Sequence, residues 1–223
     1  MRKASERKAV LDFLRQLESH NDRGWFEENR SRYEAARAVF LELVGELIDA
    51  FGPVDDLGGV TVKECVFRIN RDVRFSKDKS PYKTVMSAVL GRSGRKSGVR
   101  SYYFHIEGEG RSFLAGGLYA PSAAELGAVR QALADDARPF RKVIRAPAFV
   151  REFGELGGDS LKVAPLGYPK DHPDIELLRK KQFLVMHRLS DEEILSDELI
   201  PNALAVYKAM KPFLLYLEET IEA

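Results

Sequence analysis

Residues 101–107, S-Y-Y-F-H-I-E, limit what this chain can fold into more than any other stretch, because their alternation suits only an extended backbone. Tyr102, Phe104 and Ile106 fall on one side and Tyr103, His105 and Glu107 on the other, the period of two that marks a strand with one buried and one wetter face. The same period predicts a strand over residues 64–70, where Cys65, Phe67 and Ile69 oppose Glu64, Val66, Arg68 and Asn70. Further strands are expected over 84–90, 112–119 and 183–189, with a short one at 161–163. G-E-G at 108–110 and the basic, flexible turn G-R-S-G-R-K-S-G at 91–98 are short connections, which pair successive strands antiparallel.

The two ends of the chain carry the helical period instead. Val10, Phe13, Leu14 and Leu17 predict a helix over 6–18, ended by H-N-D-R-G at 20–24. Asn21 or Asp22 is placed to cap a longer helix over 25–51, whose stripe of Phe26, Tyr33, Phe40, Leu43, Leu47 and Phe51 reads as core packing and which Gly52-Pro53 stops. Ser122 with Glu125, and Ser190 with Glu193, are capping boxes that open helices. Pro139 kinks the first of these or starts another, residues 140–156 continue helical, a Pro-rich loop spans 165–174, and helices are expected over 175–180 and 199–221. The fold class is therefore α+β: an antiparallel sheet of about five strands packed by N- and C-terminal helices. No repeat, low-complexity tract or linker divides the 223 residues, so one domain over 1–223 is expected.

With 44% hydrophobic and 31% charged residues the composition is that of a folded chain, and no run approaches the ~20 apolar residues of a membrane helix. The N-terminus M-R-K-A-S-E-R-K has no signal-peptide core, and the single cysteine, Cys65, excludes an intrachain disulfide and suits a reducing compartment; a cytoplasmic, soluble protein with no membrane partner is expected. The net charge of +1 conceals an asymmetry. Residues 63–100 hold eleven Lys/Arg against three Asp/Glu, +8, which leaves −7 on the rest. Such a segment concentrates positive potential, favouring phosphates, carboxylates or an acidic partner over wholesale coating of DNA.

Within that segment, R-D-V-R-F-S-K-D-K-S-P-Y-K at 71–83 combines guanidinium and ammonium groups with Phe75 and Tyr82, while Pro81 restricts the backbone. It reads either as an anion-binding loop or as a basic loop paired with neighbouring acids. If the apolar sides of the 64–70 and 101–107 strands face the helices, Glu64, Arg68, Asn70, Tyr103, His105 and Glu107 share the other face. That face is either a pocket, in which Arg68 and Asn70 hold an anion while His105 or Glu107 moves a proton, or a salt-bridged surface. The small pair Gly116-Gly117 on the neighbouring strand leaves room for a ligand or for close backbone approach. G-R-S-G-R-K-S-G fails as a phosphate loop, because Arg95 stands where the motif needs glycine before the lysine. His20, His105, His172 and His187 are scattered without metal-ligand spacing, so no metal site and no cofactor is named by the residues; Cys65 lies on an apolar strand face as a core thiol.

Asn21 with Trp25-Phe26, Arg30 and Tyr33, then F-R-I-N-R-D-V-R-F-S-K-D-K-S-P-Y-K at 67–83, G-G-L-Y at 116–119, D-H-P at 171–173, Lys181 and Phe183 together resemble the domain of unknown function 2461 family of bacteria and fungi. Val73, where a small polar residue is usual, and Tyr119, where tryptophan is frequent, are the departures. The resemblance implies one full-length domain and no established activity.

The leading expectation is a small anionic ligand, phosphate- or carboxylate-bearing. Arg68, Arg71 and Arg74 would hold it, Lys79 and Lys83 add charge, Asn70 and Tyr82 orient it, and His105 carry a proton if there is turnover. One alternative is a nucleic-acid-binding module that adds Arg92, Arg95, Lys96 and Arg100. The other is a non-catalytic interaction protein whose signature is an internal salt-bridge network.

Overall fold

The computed structural model describes residues 2–223. Among them are ten α-helices and one antiparallel sheet of four strands in the order β1-β2-β3-β4, with β1 Met86–Leu90, β2 Tyr102–Ile106, β3 Ser112–Leu118 and β4 Phe183–Leu189. The α+β reading and four of the five principal strands stand. The chain gathers into two compact units, one made of the chain up to Ser97 with Tyr103–Leu114 and Arg188–Ala205, the other of Gly98–Tyr102, Ala115–His187 and Val206–Ala223.

In the first unit, α1 (Arg2–Ser19) buries Val10, Phe13, Leu14 and Leu17 against α3 (Arg30–Ala50), which buries Phe40, Leu43, Val44 and Leu47. Phe40 stacks on Phe104 of β2 with ring centroids 5.9 Å apart, so the N-terminal helices cover the apolar side of that strand. The single helix expected over 25–51 is two. α2 (Arg23–Glu28) is capped by Asp22, whose Oδ1 accepts from Trp25 N at 3.0 Å. Asn29 ends it: its side-chain amide donates to the Trp25 carbonyl at 2.9 Å while its own carbonyl accepts the first bonds of α3, from Arg32 N and Tyr33 N.

The strand expected over 64–70 does not form as a regular strand. α4 (Val62–Cys65) takes its first residues as a helical turn, closed by a capping box in which Glu64 Oε2 accepts from Thr61 N at 2.8 Å and from Thr61 Oγ1 at 2.6 Å. The rest runs extended and touches the returning chain at two isolated bridges, Val66 to Ala88 and Asn70 to Tyr82. Between them the first arm advances four residues (70 − 66) and the second six (88 − 82), so two extra residues interrupt the ladder. The predicted parity fails at Val66, which is buried next to Cys65, and holds beyond it, with Ile69 buried and Arg68 and Asn70 exposed. The 91–98 segment is tied down rather than flexible. It holds a 3-10 turn at Gly94–Lys96, from which Arg95 Nη1 donates to the Lys63 carbonyl at 2.7 Å and to that of Val66. Gly94 is buried at φ +53°, with the Glu64 carbonyl where a Cβ would stand.

The second unit holds α5 (Ala123–Asp136), α6 (Arg138–Ile144), α7 (Pro147–Phe153), α8 (Ile175–Leu178) and most of α10 (Leu199–Glu222). Both expected capping boxes are present, Ser122–Glu125 at α5 and Ser190–Glu193 at α9 (Asp191–Leu195) in the first unit. Pro139 starts a new helix, and Pro147 starts another, which splits the helix expected over 140–156. Residues 161–163 are irregular rather than a strand. Phe213 of α10 packs against Phe140 and Phe149 at 6.1 and 5.8 Å. The Gly116-Gly117 pair serves close approach, not ligand space. Met210 Sδ and Leu214 of α10 press on Gly116, while Gly117, at φ +115°, lies against the Phe183 carbonyl of β4 and the Phe213 ring. Gly117→Ala combines a strained backbone with a collision against a neighbouring strand; a loss of about 3 kcal/mol or more is expected, read as a large fall in melting temperature, while Gly127→Ala, in open space on α5, should leave it unchanged or raise it.

Candidate functional site

The signature is anchored before it does anything else. The Asn21 side-chain amide meets the Tyr82 peptide on both sides, its Nδ2 donating to Tyr82 O at 3.0 Å and its Oδ1 accepting from Tyr82 N at 3.1 Å, much as a neighbouring strand would. The Tyr82 ring is buried and stacked on Phe26 at 3.9 Å. Backbone bonds from Arg71 N to Pro81 O (2.9 Å) and from Lys83 N to Ile69 O (2.8 Å) then close the base of the loop. Tyr82 and Asn21 are thus structural members of the signature, a role for Asn21 that capping preference alone does not reveal.

Beyond that base the loop satisfies its own charges. Arg71 pairs with Asp78, Arg74 forks onto Asp72 at 2.6 and 2.9 Å, and Lys79 Nζ donates to the Val73 carbonyl at 2.9 Å. Asp78 also accepts from Ser80 N and Oγ, and these bonds together with Arg71 hold its carboxyl far below the ordinary range; Arg74 does the same, less strongly, for Asp72. Four signature cations have no carboxylate: Lys79 is held on backbone carbonyls, Lys77 is exposed on the loop, and Arg68 and Lys83 lie near each other. Arg68 forms no hydrogen bond or ion pair among the described residues and is exposed. Lys83 is half-buried with its ammonium 5.1 Å from the Phe67 ring centroid; burial first, and the nearby Arg68 guanidinium second, lower its pKa. Asn70 is exposed beside them and offers its side chain to solvent.

The wetter face of β2 carries the second part of the site. Phe67 meets Tyr103 edge-on at 6.4 Å, the Tyr103 hydroxyl is 3.2 Å from His105 Nδ1, and His105 Nε2 is 3.1 Å from Glu107 Oε2. Arg111 Nε donates to Glu107 Oε1 at 2.8 Å and Arg111 Nη2 to Glu18 Oε2 at 2.5 Å. Phe113 of β3 stacks on the imidazole at 4.2 Å and helps to bury it. Burial is the larger influence on His105 and lowers its pKa; Glu107 opposes this without overcoming it. Tyr103, His105 and Glu107 therefore stand together as the alternation predicts, whereas Glu64 is engaged at the α4 cap. The contributions of Phe113 and Arg111 needed the tertiary structure.

The remaining expectations place as follows. Of the four cations assigned to a nucleic-acid face, Arg92 pairs with Asp56 at 3.2 Å, Arg95 holds backbone carbonyls and Arg100 pairs with Glu218 at 3.0 Å. Cys65 is buried and its thiol is pushed up to about 11, chiefly by burial, as befits a core thiol. Among the described residues no group of three or more His, Cys, Asp and Glu is placed to hold a metal ion, and no helix is long and apolar enough to cross a membrane.

Two outcomes follow from this geometry. Asn21→Ala leaves both polar groups of the Tyr82 peptide without their partner, which should cost about 2 kcal/mol and accelerate hydrogen exchange at the Arg71 and Lys83 amides. For His105 the folded pKa lies below the unfolded value of 6.5, so the unfolded chain takes up the proton first. Stability should fall as the pH drops below about 6.5 and level off below the folded pKa; thermal melts of His105→Gln should lack that slope, and an NMR titration should place the imidazole below 6.5.

No curated protein and no solved structure matches this sequence. The model of the family described as "Conserved hypothetical protein (DUF2461)" matches residues 9–216, a span that runs through both units. The chain belongs to that family.

Proposed function

We propose that the protein binds a small anionic ligand, phosphate- or carboxylate-bearing, at Arg68 and Lys83, and acts as one functional domain in the cytoplasm. The observation that carries this reading is the pair of neighbouring cations without a carboxylate, in a loop where every other Asp and Arg is matched. Two like charges held together raise each other's cost, and an anion between them removes it. Arg71, Arg74 and Lys79 then contribute by fixing the loop, with Lys79, which no carboxylate offsets, lending long-range potential, and Asn70, like Arg68, is exposed. If the ligand is turned over, His105 is the group suited to take a proton, being neutral near pH 7 and oriented by Glu107.

A second reading is favoured by the Arg71–Asp78 and Arg74–Asp72 pairs: a non-catalytic interaction protein whose signature is a self-contained ion-pair network. Calorimetric titration with inorganic phosphate and with acetate separates the two. On the first reading Arg68→Ala and Lys83→Met each weaken phosphate or acetate binding at least about tenfold, roughly 1.4 kcal/mol, Arg74→Ala changes it little, and binding raises the Lys83 pKa. No binding of either anion, or binding indifferent to Arg68 and Lys83, rejects that reading.

A further inference from the structure

The Lys83 amine has surroundings unlike those of the lysines that brace the backbone. Lys79 Nζ donates to the Val73 carbonyl at 2.9 Å, and Lys180 Nζ to the carbonyls of Leu156, Gly157 and Gly158 at 3.0, 3.2 and 3.3 Å. Among the described residues the Lys83 side chain makes no hydrogen bond and no ion pair. It is half-buried, with its nitrogen 5.1 Å from the Phe67 ring centroid and the Arg68 guanidinium as its charged neighbour. Its backbone is fixed by the bond from Lys83 N to Ile69 O and by the clamped Tyr82 peptide before it, so the side chain leaves from a set point. An amine partly stripped of water, with no acceptor holding its protons and a like charge at hand, is biased toward its neutral form. In that form the nitrogen lone pair can attack a carbonyl carbon.

Resting on the anion-binding reading of the same pair, we propose that the ligand is a 2-oxo acid, with Arg68 holding its carboxylate and Lys83 forming an imine with its keto carbon. The neighbouring guanidinium and amine select this class. In a 2-oxo acid the carboxylate is bonded directly to the carbonyl, so anion and electrophile arrive together, whereas an aldehyde phosphate separates them by a carbon chain. The step balances without a further reactant. The amine nitrogen gives its lone pair to the keto carbon and its protons to solvent, the keto oxygen takes up protons from solvent and leaves as water, and a C=N bond replaces C=O. Once protonated, the imine restores a positive charge at position 83 beside the carboxylate. An inert anion such as acetate offers no keto carbon and meets Lys83 as the ammonium, so the two kinds of ligand compete for one site.

Reductive trapping of the full chain with pyruvate and cyanoborohydride at neutral pH, mapped by peptide mass spectrometry, tests this. Lys83 should be alkylated at least about tenfold faster than the exposed Lys77, and excess acetate should protect it. Acetaldehyde, which has the carbonyl without the carboxylate, should show a smaller preference for Lys83. Arg68→Ala, at an exposed position, should lower the ratio of pyruvate to acetaldehyde labelling at Lys83 about tenfold with circular dichroism unchanged. A change in the reactivity of the amine alone moves both labels together and leaves that ratio where it was. Calorimetric titration with acetate and phosphate tells the possible failures apart. Binding of either anion that depends on Arg68, with Lys83 labelled no faster than Lys77, overturns the imine and leaves the anion site standing. No anion binding and no preferential label overturns both. Labelling of Lys83 that acetaldehyde matches, or a ratio that Arg68→Ala leaves unchanged, overturns the assignment of a 2-oxo acid.

Discussion

The two hydrogen bonds between the Asn21 side chain and the Tyr82 peptide are the constraint on which the rest of the signature depends. Residues 66–71 and 81–88 are too irregular to form a full ladder, so their geometry must be fixed from outside. A primary amide sets an N–H donor beside a carbonyl acceptor in the spacing of a peptide, and Asn21, just ahead of α2, supplies both across 61 residues of sequence. The stacked Tyr82 ring carries the restraint inward, since Phe26 packs in turn on Phe13 and Tyr33. Position 83 follows directly, which is how the Lys83 ammonium comes to lie over Phe67.

Charge is then sorted by proximity. The exposed Arg–carboxylate pairs of the loop each contribute little to stability, on the order of 0–1 kcal/mol. Their consequence is in what they leave over. With Asp72 and Asp78 engaged by Arg74 and Arg71, the loop has no acid left for Arg68 and Lys83. The segment thus separates into a loop whose arginines are matched by its own acids and a cationic pair, Arg68 with Lys83, which no count of charges along the sequence can separate.

What was legible in the sequence was whatever local chemistry decides. The alternation at 101–107 placed β2 and grouped Tyr103, His105 and Glu107, and the Ser-x-x-Glu boxes placed α5 and α9. The same box stands at Thr61-Val62-Lys63-Glu64, but the apolar alternation that follows masked it, and the segment read as a strand from 64 onward. There the capping bonds won over a period of two that only four further residues supported. Gly116-Gly117 was ambiguous for a different reason: glycine marks a close approach without saying whether a ligand or a helix makes it, and α10 lies more than 80 residues away in sequence. The Asn21 clamp and the Phe113 stack are likewise contacts of long range, invisible to periodicity.

The chain on the wetter face of β2 has a direction. Both oxygens of Glu107 are taken, Oε1 by Arg111 and Oε2 by His105, and Arg111 is anchored in turn on Glu18. That end is closed by charge. The other end is the Tyr103 hydroxyl, and Tyr103 is the member that touches Phe67, the ring over which Lys83 lies. Burying an imidazole among polar partners is costly compared with an apolar side chain of similar shape, and Phe113 on the adjacent strand shows that this face accepts such side chains. A sheet face selected for stability alone has no need of a neutral histidine with both ring nitrogens engaged. On the anion-binding reading His105 is the member whose protonation would change, since both Glu107 oxygens are already engaged.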